Sequence, residues 1–209
     1  RFRHLVSLWF QDNRRQFPWR DTSNPFHILV AEILLRQTQA DRVASPYLEL
    51  ISKYPDVETL AAADPDELRS WFRPLGLVTR ADYLIGASKQ IRDLHDGLVP
   101  RGLDSLIKLP GIGTYSARAI LCLAFGEPVP MVDESSGRLL RRLLGLSPNG
   151  PAYADRKLLD IAGSLVPEDH PKEFNLGLID IAAAVCRPKN PSCSLCPLAE
   201  ICEYACSVT

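Results

Sequence analysis

The sequence predicts an all-α protein, and three observations carry this prediction. Apolar residues recur at helical spacing along most of the 209 residues, and no convincing strand alternation occurs. Seventeen prolines and twelve glycines lie mostly between the apolar segments, where helices end. Charged residues make up 23% and hydrophobic residues 46%, as in ordinary globular domains. No apolar run approaches the roughly 18 residues that indicate a membrane span.

The helices follow one another in chain order. The segment 26–35 is apolar apart from His27 and Glu32, which predicts a buried helix. Asp64 precedes Pro65 and Glu67, which predicts an N-cap, a first helical position and the closing residue of a capping box. The other predicted helices cover about 5–15, 43–51 (with Val43, Tyr47, Leu48 and Ile51 on one face), 79–94, 103–108, 114–125, 138–144, 155–165 and 174–185.

The net charge disfavours one class of function and allows another. The net charge of −1 disfavours a protein that coats nucleic acid, but it permits a local basic face. We expect such a face to combine the turn at 109–113 with five cations: Arg138, Arg141, Arg142, Arg187 and Lys189.

Four cysteines lie within 17 residues, at Cys186, Cys193, Cys196 and Cys202. Disulfides need an oxidising compartment, of which the rest of the sequence gives no sign. Structural zinc usually uses two C-x2-C pairs from separated segments, whereas this pattern has one C-x2-C and two longer arms. The spacing therefore favours a [4Fe–4S] cluster held by four thiolates, with zinc as the alternative. Arg187 and Lys189 lie in the first arm and are either solvated or in contact with phosphate.

The turn Leu109-Pro110-Gly111-Ile112-Gly113 separates two predicted helices. Glycines allow close backbone approach, and the N–H groups at the start of the next helix suit a phosphate oxygen. The pattern is typical of a helix-hairpin-helix, which grips the DNA backbone without reading sequence. The alternative is a helix–helix turn without a ligand.

Two carboxylates are candidates for chemistry. Asp133 follows the apolar residues 129–132 and precedes a helix, so an N-cap is the simple interpretation. Glu32 is the one acid in an apolar helix, where a carboxylate is costly unless it is paired or functional. Pairing with an arginine such as Arg118 is the alternative to a functional role.

Together these motifs resemble the helix-hairpin-helix, Gly/Pro-Asp superfamily of DNA glycosylases. The resemblance is to its iron–sulfur branch, which contains endonuclease III, the MutY adenine glycosylase and the Mig-type thymine mismatch glycosylase. The motifs occur in family order: 17–20 (FPWR), 31–38 (AEILLRQT), 109–117, 132–133 (VD) and the four cysteines.

The resemblance implies an organisation for the chain. A six-helix barrel with the hairpin would span residues 25–128, and residues 1–24 with 129–209 would form a discontinuous iron–sulfur lobe. DNA containing a mismatched or damaged base would bind in a cleft between them, with the target base flipped out. We expect a monomeric, cytoplasmic, nucleoid-associated protein of prokaryotic type, without a membrane partner.

The resemblance also implies residue roles. Asp133 would stabilise the oxocarbenium-like sugar and position water, Glu32 would lie in the base pocket, and Gln37 would fill the gap left by the flipped base. Leu109, Gly111 and Gly113 would bind the DNA backbone. Tyr115 stands where endonuclease III has its Schiff-base lysine, and a phenol cannot form an imine. The chain should therefore release a base without cleaving the strand.

The resemblance favours thymine or uracil opposite guanine as substrate. Tyr115 matches Mig-type enzymes, whereas MutY proteins usually have serine there, and the 8-oxoguanine-reading domain of MutY has no counterpart after the cysteines. Glu134 and Ser135 replace a small residue and then Asn or His of the usual pattern. That departure leaves open adenine or a modified base as substrate. A non-enzymatic iron–sulfur DNA-binding module is a separate alternative, against which Asp133 in its family position argues.

Overall fold

The computed structural model describes residues 1–73 and 76–208. Within these ranges the secondary structure is helical and contains no strand, which confirms the predicted all-α class. No helix in the described ranges is long and apolar enough to cross a membrane. The helices are α1 (Phe2–Asn13), α2 (Pro25–Leu35), α3 (Ala40–Lys53), α4 (Val57–Ala61), α5 (Pro65–Phe72), α6 (Val78–Leu94), α7 (Leu103–Leu106), α8 (Thr114–Phe125), α9 (Glu134–Leu143), α10 (Arg156–Leu165), α11 (Pro171–Ala184) and α12 (Glu203–Val208).

The observed helix starts agree best with the predicted ones where a capping residue marks the start. Asp64 caps α5 by accepting a hydrogen bond from the Glu67 N–H at 2.8 Å. The expected capping box is wrong in its second half, because the Glu67 carboxylate pairs with Lys53. The predicted apolar face of α3 is wrong at Leu48, which is 54% exposed. Sequence patterning missed α4 and α12, which are too short to show a helical repeat.

The chain divides into two compact units. The central unit comprises Gln16–Phe125, and the terminal unit joins Arg1–Arg15 to the described residues from Gly126 onward. Residues 16–24, predicted to belong with residues 129–209, fall in the central unit, and residues 126–128, predicted in the barrel, fall in the terminal unit. Trp19 packs there edge-on against Tyr47 of α3, with ring centroids 5.5 Å apart.

The core of the central unit is built around α2. Every residue of α2 from Phe26 to Leu34 is buried except His27, because α3, α6 and α8 pack around it. Asn24 starts this helix, since its side chain accepts hydrogen bonds from the N–H groups of Phe26 and His27. A helix buried on nearly all sides gives Glu32 an apolar setting.

The core of the terminal unit is built around α11, which packs against α1 and α9. Close approach to α1 depends on Gly177, because a Cβ there would lie 2.7 Å from Val6 Cγ1. The buried Asp180 binds Arg15, with 2.6 Å between Oδ1 and Nε. In the same unit Arg141 and Asp155 form a largely buried ion pair, and this hydrogen bond is the main reason why the pKa of Asp155 is lowered.

The helix after Asp133 has a packing constraint that we can test. A Cβ on Gly137 would overlap the Cβ of Ala152, so α9 can approach that segment only with glycine. We expect Gly137→Ala to lower the free energy of unfolding by about 1–3 kcal/mol through overpacking, measured by urea titration. Gly163→Ala in α10 is the matched control: its Cβ would meet Pro130 at an ordinary 3.8 Å. There we expect no loss, and a destabilisation equal to that of Gly137→Ala would contradict the packing argument.

Candidate active site and nucleic-acid interface

Asp133 is the N-cap of α9, as its simple interpretation predicted. Its Oδ1 accepts hydrogen bonds from the Ser136 N–H and hydroxyl, each at 2.7 Å. The Asp133 N–H in turn donates to the Ser136 Oγ at 3.0 Å, which completes a capping box. Both carboxylate bonds use Oδ1, and no hydrogen bond within the described residues uses Oδ2. The cap therefore fixes the carboxylate while one oxygen remains available to a ligand.

The segment that leads into Asp133 is held from α11. The Asn175 side chain accepts a hydrogen bond from the Met131 N–H at 2.9 Å and donates to the Val129 carbonyl at 3.1 Å. Asn175 is 2% exposed, and Met131 and Val132 are buried beside it. A side-chain amide thus replaces the backbone pairing that a strand would give, and it fixes the entry of the chain into α9.

Glu134 departs from the family pattern and has a structural partner. Its Oε1 accepts a hydrogen bond from the Ala152 N–H at 2.9 Å, at the start of a 3₁₀ turn (Ala152–Ala154). Glu134 therefore ties α9 to the same segment against which Gly137 packs. This contact gives the extra carboxylate a role within the terminal unit.

Glu32 and Tyr115 lie on two helices of the central unit that pack against each other, α2 and α8. Glu32 is 7% exposed, and its neighbours along α2 are apolar. Tyr115 is the second residue of α8 and is half-buried. The structure thus places Glu32 as a buried carboxylate on α2 and Tyr115 as a half-buried phenol in the first turn of α8.

The hairpin turn joins α7 to α8. Leu109 is buried beneath it, and Ile112 N–H donates to the Leu109 carbonyl at 3.1 Å. Gly111 has a φ of +82°, and a Cβ there would lie 2.8 Å from Tyr83 Cβ, so this position needs glycine. Gly113 faces open space, with no atom within 4 Å of a Cβ placed on it. A phosphate can therefore approach the N–H groups at the start of α8.

Gln37 is exposed between α2 and α3 and has a φ of +52°, in the left-handed region that non-glycine residues rarely adopt. A hydrogen bond from the Thr38 N–H to the Leu35 carbonyl, 3.2 Å long, spans Arg36 and Gln37. Strained backbone of this kind clusters at functional sites, where neighbouring contacts maintain it. Sequence patterning placed Gln37 on a motif and gave no sign of its conformation.

The four cysteines of the spacing pattern are free thiols, each half-buried. The pKa of the Cys196 thiol is raised, mainly because the thiol is buried. The sulfurs of Cys186, Cys202 and Cys193 also raise it. In the described ranges no three His, Cys, Asp or Glu side chains are grouped so that they could hold a metal ion. The other three thiols of the pattern thus influence Cys196, but the described side chains do not converge on one point.

Arg142 of α9 contacts both ends of the cysteine segment. Its guanidinium donates to the carbonyls of Arg187 and Pro188 at 2.8 and 3.0 Å, and to Cys186 Sγ at 3.4 Å. Its backbone carbonyl accepts a 3.6 Å contact from Cys202 Sγ. The guanidinium also lies 4.7 Å from the ring centroid of Tyr204, in α12.

The expected basic face needs correction in its α9 part. Arg138 donates to the carbonyls of Cys186 and Ala182, and Arg141 donates to the Gly150 carbonyl and to Asp155. With Arg142 bound to the cysteine segment, all three α9 arginines have intramolecular acceptors, because this helix packs against the loops it must anchor. Arg187 and Lys189 are exposed, whereas the three α9 arginines are half-buried, so these two cations of the predicted face stay candidates for phosphate contact.

The arm that carries these two cations is folded on itself. Ser192 N–H donates to the Val185 carbonyl at 3.0 Å, which closes the loop before Cys193. Arg187 donates to Ser192 Oγ at 3.1 Å and contacts the Asn190 carbonyl at 3.4 Å. The arm is therefore ordered by local bonds, and its charged groups remain at the surface.

The sequence profile of the HhH-GPD superfamily of base excision DNA repair proteins matches residues 30–163. The chain belongs to this superfamily. The match includes Glu32, Gln37, the hairpin, Tyr115 and Asp133, and it ends before the cysteines. The matched region includes the hairpin turn, in the central unit, and Asp133, in the terminal unit.

HhH-GPD relatives match this chain along nearly its whole length. A thymine-DNA glycosylase of Aeropyrum pernix is 39% identical over 206 residues, which cover 97% of this chain and 92% of the relative. A thymine/uracil-DNA glycosylase of Pyrobaculum aerophilum is 37% identical, covering 98% and 91%. An adenine DNA glycosylase of Mycolicibacterium smegmatis is also 37% identical, covering 91% of this chain but 65% of that protein.

Solved structures of the superfamily agree with the fold. A thermostable thymine-DNA glycosylase superposes with a TM-score of 0.93 at 34% identity, covering 99% of this chain and 95% of the other. Endonuclease III in a trapped covalent intermediate with DNA superposes with a TM-score of 0.82 at 26% identity, covering 99% and 94%.

Three polar residues of this HhH-GPD chain were missed by sequence reasoning: Ser136, Asn175 and Arg36. Ser136 stands three residues after Asp133, so a capping pattern could have indicated it. Asn175 is a buried amide in an apolar helix, a signal of the same kind that singled out Glu32. Arg36 donates to the Gly111 carbonyl at 2.8 Å, and nothing in the local sequence indicates this partner.

Proposed function

We propose that the protein is a monofunctional DNA glycosylase that hydrolyses the N-glycosidic bond of thymine or uracil opposite guanine. The observation that carries the proposal is the fixed carboxylate of Asp133, held through Oδ1 by Ser136 with Oδ2 free of hydrogen bonds in the described chain. Support for the substrate comes from two relatives that match over nine-tenths of both lengths and are named for thymine or for thymine and uracil.

The proposed chemistry begins with extrusion of the base. Unpairing costs a few kcal/mol, and least for a mismatched pair, so the mismatch itself contributes selectivity. As the glycosidic bond then breaks, positive charge develops on the sugar. A preorganised negative charge lowers the free energy of that state, and such electrostatic stabilisation is usually the largest catalytic contribution. Asp133 would supply it through Oδ2, and water would complete the hydrolysis.

Glu32 and Tyr115 would act on the base and on the reaction path. Glu32, nearly inaccessible to water, would hydrogen-bond the edge of the flipped base. Tyr115 offers a phenol where an amine would be needed for imine formation, so no covalent enzyme–DNA adduct would form. The product would be an abasic site in an intact strand.

Adenine release is the second candidate. It is supported by the 37% identity with the mycobacterial adenine DNA glycosylase. A panel of duplexes tests both: G·T, G·U, A·G and A·8-oxoguanine pairs, each treated with alkali after incubation to reveal abasic sites. We expect cleavage after alkali for G·T and G·U alone. Cleavage of the adenine strand instead would establish the second candidate, and no base release from any duplex would contradict both.

A [4Fe–4S] cluster bound by Cys186, Cys193, Cys196 and Cys202 is part of the proposal. The donor set fits, because all four are free thiols, the other three raise the pKa of Cys196, and Arg142 contacts both Cys186 Sγ and Cys202 Sγ. In a cubane each thiolate binds a different iron, so the sulfurs need not converge, whereas a zinc ion requires convergence to about 2.3 Å. When bound, the cluster would cross-link the segment after α11 to the start of α12.

The cluster makes a compositional prediction. Protein purified without oxygen should contain iron and acid-labile sulfide in equal amounts, about four of each per chain. Cys196→Ser should lower the iron content and the visible absorption, because it removes one thiolate ligand. Cys206→Ser is the control, since Cys206 is exposed and outside the spacing pattern. Stoichiometric zinc without iron would overturn the assignment.

The salt dependence of binding tests the phosphate contacts. Each neutralised phosphate contributes about −0.9 to the slope of log K against log salt. We expect Arg187→Ala with Lys189→Ala to flatten that slope by up to about 1.8, and to weaken matched and mismatched duplexes alike. Arg156→Ala with Lys157→Ala, at two exposed cations of α10, removes the same charge and should leave the slope nearly unchanged. A loss confined to mismatched duplexes would show that these residues read the lesion.

A further inference from the structure

The segment that carries Gln37 and the hairpin turn are joined directly within the central unit. Arg36 donates from Nη1 to the Gly111 carbonyl at 2.8 Å. The same guanidinium lies 5.2 Å from the ring centroid of Tyr83, on α6. Arg36 is exposed, yet it is anchored at two points, a charge-assisted hydrogen bond and a cation–π contact.

The backbone of Arg36 is held as well. Its carbonyl accepts hydrogen bonds from the Arg80 guanidinium and from the Thr38 hydroxyl. These contacts flank the peptide that gives Gln37 its φ of +52°. Arg80 keeps this position although its Nε is buried and has no hydrogen-bond partner among the described residues, which is a costly arrangement.

Tyr83 completes the connection from the side of the turn. Its Cβ is the atom that a Cβ on Gly111 would meet at 2.8 Å, so the turn lies directly against α6. Tyr83 and Arg80 are three residues apart and therefore neighbours on the helix surface. One face of α6 thus supports both the turn and the peptide before Gln37.

We propose that Arg36 and Arg80 are positioning residues that couple the phosphate grip of the hairpin to the placement of Gln37. The proposal rests on the proposed function, in which Gln37 fills the gap left by the extruded base. Arg36 binds the turn with its side chain, and its carbonyl, bound by Arg80, fixes the strained peptide. When the turn binds a phosphate, the Gln37 amide is therefore held at a fixed distance from that phosphate. No flexible loop has to become ordered first.

The test compares binding to two duplexes and requires no base release. One duplex contains a tetrahydrofuran abasic analogue opposite guanine, and the other is fully paired. The variants are Arg36→Lys, Arg80→Lys, Gln37→Ala and the double variant Arg36→Lys with Gln37→Ala. Arg92→Lys is the matched control, a half-buried arginine of α6 that pairs with Asp93.

We expect the wild type to bind the duplex with the abasic analogue more tightly than the fully paired duplex. Arg36→Lys and Arg80→Lys should each reduce that preference by roughly tenfold, the effect of one charge-assisted hydrogen bond. Lysine keeps the charge, so affinity for the paired duplex should change little. The double variant should lose no more preference than Gln37→Ala alone, because the arginine acts through Gln37. Arg92→Lys should behave as the wild type.

Two results would overturn the coupling. Equal weakening on both duplexes would mean that the arginines serve the turn alone, and additive losses in the double variant would mean that Arg36 acts independently of Gln37. Failure of the proposed function is distinguishable. If the protein releases no base but the losses are non-additive, glycosylase activity is refuted and the coupling stands. If the protein releases base but the losses are additive, the coupling is refuted and glycosylase activity stands.

Discussion

Asp133→Asn should lower the rate of base release by at least ~10²-fold while leaving duplex affinity unchanged. Asparagine is as good an N-cap as aspartate, so its side-chain oxygen can still accept from the Ser136 N–H and the start of α9 is preserved. What disappears is the negative charge at Oδ2, which the proposed mechanism places against the developing positive charge of the sugar. Single-turnover kinetics with a G·U duplex measure the rate, and gel shift measures the affinity.

A second N-cap aspartate provides the matched control. Asp64 caps α5 through the same kind of bond, 2.8 Å from the Glu67 N–H. Asp64→Asn makes the same change of charge at an equivalent helix start, and we expect it to leave the rate unchanged. If Asp133→Asn and Asp64→Asn lowered the rate of base release equally, the change in net charge would explain the effect. Release at the wild-type rate by Asp133→Asn would refute the role of this carboxylate.

Asp133 also shows how far local sequence can predict a site. The simple interpretation, an N-cap, and the functional one, a catalytic carboxylate, were alternatives from the sequence, yet the structure makes them compatible. The cap uses Oδ1 alone, so the bond that orders the helix start also orients the other oxygen. Some helix bounds were predictable because caps and apolar periodicity are local: α8 begins and ends where its pattern does, whereas α9, predicted at about 138–144, begins at Glu134.

Contacts between distant segments were not predictable. The α9 arginines were predicted to belong to a phosphate-binding face because, at a net charge of −1, DNA binding needs a localised cluster of cations. Instead, Arg142 reaches residues 45 and 46 positions away in the chain, the carbonyls of Arg187 and Pro188. The left-handed backbone of Gln37 likewise depends on Arg80, 44 residues from the carbonyl of Arg36 to which it donates. Neither the acceptors of Arg142 nor the contact of Arg80 with the Arg36 carbonyl is indicated by a periodicity or a spacing in the sequence.

Tyr115→Lys should convert the protein into one that is trapped on DNA by borohydride. The wild type should give no adduct, because a phenol cannot form the imine that borohydride reduces. Tyr115 lies half-buried in the first turn of α8, where the helix dipole disfavours an ammonium group. A lysine there should therefore have a lowered pKa and a larger fraction of neutral, nucleophilic amine at neutral pH. Denaturing gels of a G·U duplex after borohydride treatment measure the adduct, and strand nicking without alkali measures β-elimination.

Thr114→Lys is the control for the position of the new amine. Thr114 is the exposed first residue of α8, so this variant adds the same amine one residue away, in a different direction around the helix. We expect base release without trapping from Thr114→Lys, because the amine would not face the sugar. Trapping of the wild type would refute the monofunctional mechanism outright. Equal trapping of the two lysine variants would mean that any amine near the start of α8 reaches the sugar, and that Tyr115 does not mark the place where the nucleophile of endonuclease III would stand.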